Sequence, residues 1–158
     1  MTMNIGLDEK SRKGVCEILN HLLADEFILY TETLNFHWNV TGLHFHDLHK
    51  FFESQYEELF EMVDGVAERI RTLGKVAPGS LSELSALSRI KEKPKKNMTA
   101  QKMIALLVEA HESIIQYVRE DLVTCDREFG DVGTNDFLTG LMEKHEKMVW
   151  MLRVCLEK

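Results

Sequence analysis

The chain is predicted to be all-α, an antiparallel bundle of four long helices with one short extra helix. Apolar residues recur at helical spacing almost throughout its 158 residues, with no sustained two-residue alternation of the kind a half-buried strand needs. Only two prolines are present, Pro78 and Pro94. Clusters of turn-forming residues cut the periodic sequence into a few long segments.

A first helix is expected from about Glu9 to Phe36, where Val15, Ile18, Leu19, Leu22, Leu29 and Leu34 recur on one face. Asn39-Val40-Thr41-Gly42 interrupts it. A second helix runs from about Asp47 to Leu73 and stops at Gly74, a residue that takes the left-handed C-terminal conformation without strain. Ala77-Pro78-Gly79 is a turn. Ser80 and Glu83 have capping-box spacing and start a short helix to about Ser88.

A connection rich in lysine (Lys91, Lys93, Lys95, Lys96) leads to Thr99, the expected N-cap of a third long helix carrying Met103, Leu106, Leu107, Ala110, Ile114, Tyr117 and Leu122. Gly130 to Gly133 breaks the pattern. Thr134 or Asn135 is then expected to cap a fourth helix with Leu138, Leu141, Met148 and Leu152. Helices of about 22 to 28 residues are some 33 to 42 Å long, and their apolar stripes are buried most simply in one bundle. The whole of 1–158 reads as a single domain. The short helix falls in the long connection between helices two and three, which lets these two run parallel.

Composition narrows the function. No apolar run approaches the roughly 18 residues of a membrane span, and Met1 to Lys13 is polar with no signal region. Three widely spaced cysteines, Cys16, Cys125 and Cys155, form no CxxC. They are expected as free, mostly buried thiols of a cytoplasmic protein. The net charge is -7, which disfavours nucleic acid as a nonspecific partner and suits cations.

His37, His44, His46 and His49 cluster within a short stretch, and imidazole suits zinc, copper, nickel or iron. On helix two, His49 and Glu53 are four residues apart, as are Asp64 and Glu68, and the four side chains occupy one arc of about 100°. Glu53 and Asp64 are about 16 Å apart along the axis, too far for one metal ion. Two copies of helix two packed antiparallel about a two-fold axis bring them together. Facing residues then have a constant sum, and 49 with 68 and 53 with 64 share the same sum. One register, centred between Glu58 and Leu59, builds two equivalent sites, and His37 at the end of helix one completes each. The same acids also fit plain solvated helix charges, and Glu57, Glu58 and Glu61 offer other choices. No histidine has a glutamate three positions before it, the motif of a di-iron site inside one bundle.

These segments resemble the Dps family, the mini-ferritins. The resemblance is carried by Leu34-Asn-Phe-His-Trp-Asn-Val-Thr-Gly42, Leu48-His-Lys-Phe-Phe-Glu53 and Asp64-Gly-Val-Ala-Glu-Arg-Ile70. Pro78-Gly-Ser80 with its short helix, Thr134-Asn-Asp-Phe-Leu138 and Glu143 through Arg153 extend it over nearly the whole chain. It implies a ferritin-like four-helix bundle in a hollow homo-dodecamer with two-fold and three-fold interfaces. It also implies ferroxidase sites on the two-fold axes, oxidation of Fe(II) by hydrogen peroxide or dioxygen, storage of ferric mineral, and protection against oxidative stress.

By the same resemblance, His37, His49, Glu53, Asp64 and Glu68 are the ligands, holding up to two iron ions (Fe2+/Fe3+) per site, with zinc able to substitute. Glu53 stands where aspartate is commoner in the family. Trp38 and Trp150 match tryptophans near the site; Trp38 is a candidate redox aromatic, and Trp150 fits packing equally well. Asp126, Asp131 and Asp136 resemble the acids of the family's three-fold pores, although Asp131 and Asp136 also read as a loop acid and a first-turn helix acid. Family members that bind DNA directly usually have a lysine-rich tail. Here Lys10, Arg12 and Lys13 are offset by Asp8 and Glu9, and twelve copies at -7 repel a polyanion. DNA binding is therefore expected to be weak or absent. A shell that condenses DNA or signals, and a zinc or copper shell, are the competing readings.

Overall fold

The computed structural model describes residues 3–93 and 97–157. Pro94, Lys95 and Lys96 of the lysine-rich connection lie outside the described residues, as do Met1, Thr2 and Lys158. Five helices and no strand occur among the described residues: α1 (Glu9–Asn39), α2 (Phe45–Thr72), α3 (Leu81–Leu87), α4 (Ala100–Arg127) and α5 (Val132–Val154). None is long and apolar enough to cross a membrane.

Two hairpins make the bundle. α1 packs along α2, and α4 packs along α5. The start of α1 meets the end of α2 where Arg12 Nη1 donates to Leu73 O at 3.2 Å. The end of α2 meets the start of α5 where Arg69 Nη2 donates to Asp131 Oδ1 at 3.2 Å. Hence α1 and α5 begin, and α2 and α4 end, at the same end of the bundle. α2 and α4 run parallel, and α3 lies in the crossover between them, packed on α1. Phe36, Phe52, Leu59, Ile70, Leu107, Ile114 and Leu138 are among the large side chains fully buried between the hairpins. At about 25 cal/mol per Å2, such burial is the main stabilising contribution.

Local rules act at the helix ends. Asp8 caps α1, accepting from Ser11 N at 2.7 Å. Ser80 and Glu83 form the reciprocal capping box, and Thr99 accepts from Lys102 N at 3.2 Å. Gly74 has φ +85°, and a Cβ there would lie 2.9 Å from Met3 Cε. Gly14 admits a ring: a Cβ would fall 2.2 Å from Phe129 Cζ, so the α4–α5 turn closes against α1 only because this position lacks a side chain.

Two expectations are corrected. α1 continues three residues past Phe36, because Val40 N still donates to Phe36 O and Asn39 Nδ2 donates to Asn35 O. α5 starts at Val132, and its cap is Asp131, not Thr134 or Asn135. Asp131 Oδ1 accepts from Thr134 N at 2.9 Å, which starts the helix before Gly133. Cys16 and Cys125 are free and buried, but Cys155 lies just beyond the last turn of α5 and is exposed.

Candidate metal centre

His37 sits in the last turn of α1, and His49 in the first turns of α2, so the short turn between them folds one ring onto the other. Their centroids are 3.8 Å apart and their planes within 20°. His37 Nδ1 lies 2.8 Å from His49 O, and His49 Nδ1 lies 2.9 Å from His37 O. A carbonyl oxygen only accepts, so each Nδ1 carries a hydrogen. In the neutral ring the lone pair is then on Nε2, the nitrogen left for a metal.

Glu53 follows one turn after His49, half-buried, with its carboxylate 2.5 Å from Lys50 Nζ. The Lys50 hydrogen bond is the chief cause that holds this carboxyl below its ordinary range, with the charges of Lys50, His37 and His49 adding to it. Tyr56 stands edge-on to His37, centroid to centroid 5.1 Å. Burial and the Glu53 charge push its phenol above its usual value. Neither Lys50 nor Tyr56 was singled out from sequence, although i+1 and i+7 from His49 place both beside the ligand stripe.

Asp64 and Glu68 lie on the far half of the same unbroken α2, both exposed and without an ion pair among the described residues. The chain therefore stacks His37 on His49, sets Glu53 one turn further along α2, and holds Asp64 and Glu68 apart on the far half of that helix. Among the described residues no three metal-binding side chains gather within one chain. Phe60 lies on the same stripe between the two halves and is 54% exposed. A concavity of about 870 Å3 lies elsewhere, between the α1–α2 turn and the start of α4. His44 and His46 are exposed at the start of α2.

Trp38 and Trp150 are 66% and 60% exposed, so neither is packed within the single chain. Asp126 and Asp136 are exposed near the α4–α5 turn. Asp131 is different: it is 3% exposed, caps α5, and pairs with Arg69. A buried cap with both oxygens engaged is not free to line a channel in this conformation.

The donor set of two imidazoles with three carboxylates suits borderline and hard cations such as Fe(II) and Fe(III). Residues 16–158 match the family model of the ferritin-like domain. A low temperature-induced protein of Nostoc sp. is 44% identical over 98% of this chain and 87% of its own length. The DNA protection during starvation protein of Helicobacter pylori is 36% identical over 89% of this chain and 96% of its own. Among solved structures, DpsC of Streptomyces coelicolor superposes with a TM-score of 0.95 at 30% identity, covering 100% of this chain and 92% of that one. A Dps protein of Vibrio cholerae O1, described as a member of the ferritin-like diiron-carboxylate proteins, gives 0.91 at 32% identity over 99% and 98%. By sequence over nearly its full length and by fold, the chain belongs to the ferritin-like family and, within it, to the Dps mini-ferritins.

Proposed function

We propose that this protein is an iron-oxidising and iron-storing mini-ferritin whose ferroxidase sites are shared between two copies of the chain. One copy supplies His37, His49 and Glu53, and the other supplies Asp64 and Glu68. The observation that carries this reading is the reciprocal fixing of His37 and His49, which leaves two bare Nε2 atoms beside an ionised Glu53 at the edge of an exposed acidic stripe. Phe60, exposed in the middle of that stripe, supports its being covered by a second α2.

Iron is the substrate. Two Fe(II) ions each give one electron to one hydrogen peroxide, whose O–O bond breaks; with two protons it leaves as two waters. Both electrons go at once, so no hydroxyl radical is released. The carboxylates favour the harder Fe(III) product. The main-chain bonds at Nδ1 fix each ring's tautomer before iron arrives. Asp126 and Asp136 form the proposed cation path at the three-fold axes of a dodecameric shell, and Trp38 beside His37 is the proposed trap for stray oxidising equivalents. Glu57 and Glu61, exposed on α2, are proposed nucleation acids.

The test is to add Fe(II) without oxygen, then peroxide, and follow ferric absorbance while native mass reports assembly. A particle of about 220 kDa, twelve chains of 18.3 kDa, with rapid oxidation is the expected result. If His37→Ala with His49→Ala oxidises iron at the wild-type rate, the assignment is wrong.

A further inference from the structure

Three ionisable groups meet inside the bundle core, where apolar side chains are the rule. Glu26 on α1, His111 on α4 and His145 on α5 are each 0% exposed. They form one chain of contacts. His145 Nε2 lies 2.7 Å from Glu26 Oε1, and His145 Nδ1 lies 2.9 Å from His111 Nδ1. The chain ends blind at both sides, because Glu26 Oε2 and His111 Nε2 have no hydrogen-bond partner among the described residues. The iron site uses none of the three.

The contacts limit how many protons the cluster holds. With Glu26 ionised, its carboxylate accepts and His145 Nε2 donates. Two nitrogens 2.9 Å apart hold one hydrogen between them: one donates it, and the other offers its lone pair. So at most one of the two imidazoles is doubly protonated while this contact stands. A second proton removes the acceptor, sets two N–H groups against each other, and places like charges together in a dry core.

We propose that Glu26, His145 and His111 form an acid-sensitive latch. It fastens α5 to α4 and to α1 while the two imidazoles share one hydrogen, and it parts when each takes its own.

The surroundings offer the second proton no compensation. The buried residues of α2 are Phe52, Gln55, Leu59, Met62, Val66 and Ile70, none of them charged. On α1, Asp25 next to Glu26 is occupied by Ser88, Arg89 and Ile90, and the Glu32 carboxyl is itself raised by burial. On α4, Asp121 is paired with Arg89, and the Cys125 thiol is pushed up to about 12 by burial. The other buried residues of α5 are uncharged.

Burial, and secondarily the charge of His145, hold His111 well below the ordinary histidine value. The unfolded chain therefore takes up this proton before the folded one does. The stability it reflects is complete above about pH 6.5 and is lost as pH falls below it. The bundle is firm at neutral pH and loosens at the α4–α5 seam in mild acid.

The experiment is hydrogen exchange at histidine C2 positions in the whole iron-free protein between about pH 4.5 and 8.5, read by mass spectrometry. His111 is expected to show a midpoint well below that of the exposed His44, because burial disfavours its charged form. Amide protection along α4 and α5 is expected to fall over the same acid range. Equal midpoints for His111 and His44 overturn the proposal. A second arm uses His111→Asn, which keeps an N–H for His145 and removes the basic nitrogen. Its urea midpoint is expected to change little from pH 7.5 to 5 while that of the wild type declines, and parallel declines overturn the proposal. If this variant does not assemble, the exchange measurement on the wild type still decides.

Discussion

His37 and His49 hold each other in place: each Nδ1 reaches the main-chain carbonyl of the other residue, at 2.8 and 2.9 Å, across stacked rings. Removing either ring leaves the other residue's carbonyl unpaired and strips one face from the stack, while the remaining ring keeps its own bond to the main chain. Both rings serve one proposed site, so losing either already disables it. His37→Ala and His49→Ala are each expected to slow peroxide-driven iron oxidation by about tenfold or more, with the double variant little slower than the worse single. Single-variant losses that multiply to give the double would show that the rings act independently.

Lys50 competes with iron for Glu53. Their contact of 2.5 Å is an exposed i,i+3 pair, so its strength is modest. Lys50→Met leaves the carboxylate free and, at pH 7, still ionised. Titration calorimetry without oxidant is expected to show Fe(II) binding about two- to fivefold tighter, as suits loss of a weak, solvent-screened pair. Weaker binding would mean that Lys50 orients Glu53 for the metal.

The acids near the α4–α5 turn are expected to separate by role. Asp131→Ala removes a helix cap and the partner of Arg69, and should cost about 1 to 3 kcal/mol in urea unfolding. Asp126→Ala and Asp136→Ala alter exposed positions and should stay within about 0.5 kcal/mol, while slowing iron uptake into the shell. An Asp131 variant as stable as the other two would return that residue to the list of channel acids.

Glu32 gives a pH signature of the opposite sign to the core latch. Burial raises its carboxyl, with the charge of Glu92 adding to it. A raised acid stabilises the fold when protonated, and that contribution is lost as pH climbs through the folded value. Glu32→Gln abolishes this dependence. The variant's stability relative to wild type should improve between pH 4 and pH 7, as followed by denaturant midpoints. A difference that stays constant would remove Glu32 from the account.

Much of this was legible in sequence because local rules decided it. The Ser80–Glu83 box, Thr99 and Gly74 need only a few neighbouring residues to act, and each does so in the fold. The start of α5 was misread because Gly133 looks like a breaker. Its bare backbone instead leaves room for Arg69, whose Nη2 would lie 3.1 Å from a Cβ there. No pattern near residue 133 announces a guanidinium from residue 69.

The ligand stripe on α2 was legible because four of its members share one helix face. The mutual bonds of His37 and His49 were not, since they depend on the path of the turn between two helices. The Glu26–His145–His111 chain left a signal: each residue occupies a core position among apolar neighbours on its own helix. What sequence lacks is the rotation of α1, α4 and α5 that brings these three positions together.

The central claim, a site divided between two copies, is tested most directly by complementation. One variant carries His37→Ala and His49→Ala, and the other carries Asp64→Ala and Glu68→Ala. Each should be inactive alone. Random co-assembly makes about half of the two-fold pairs mixed, and each mixed pair has one intact site and one lacking both halves. Recovery of about a quarter of the wild-type oxidation rate is expected; no recovery in a properly assembled mixture would mean that the sites are not shared between copies.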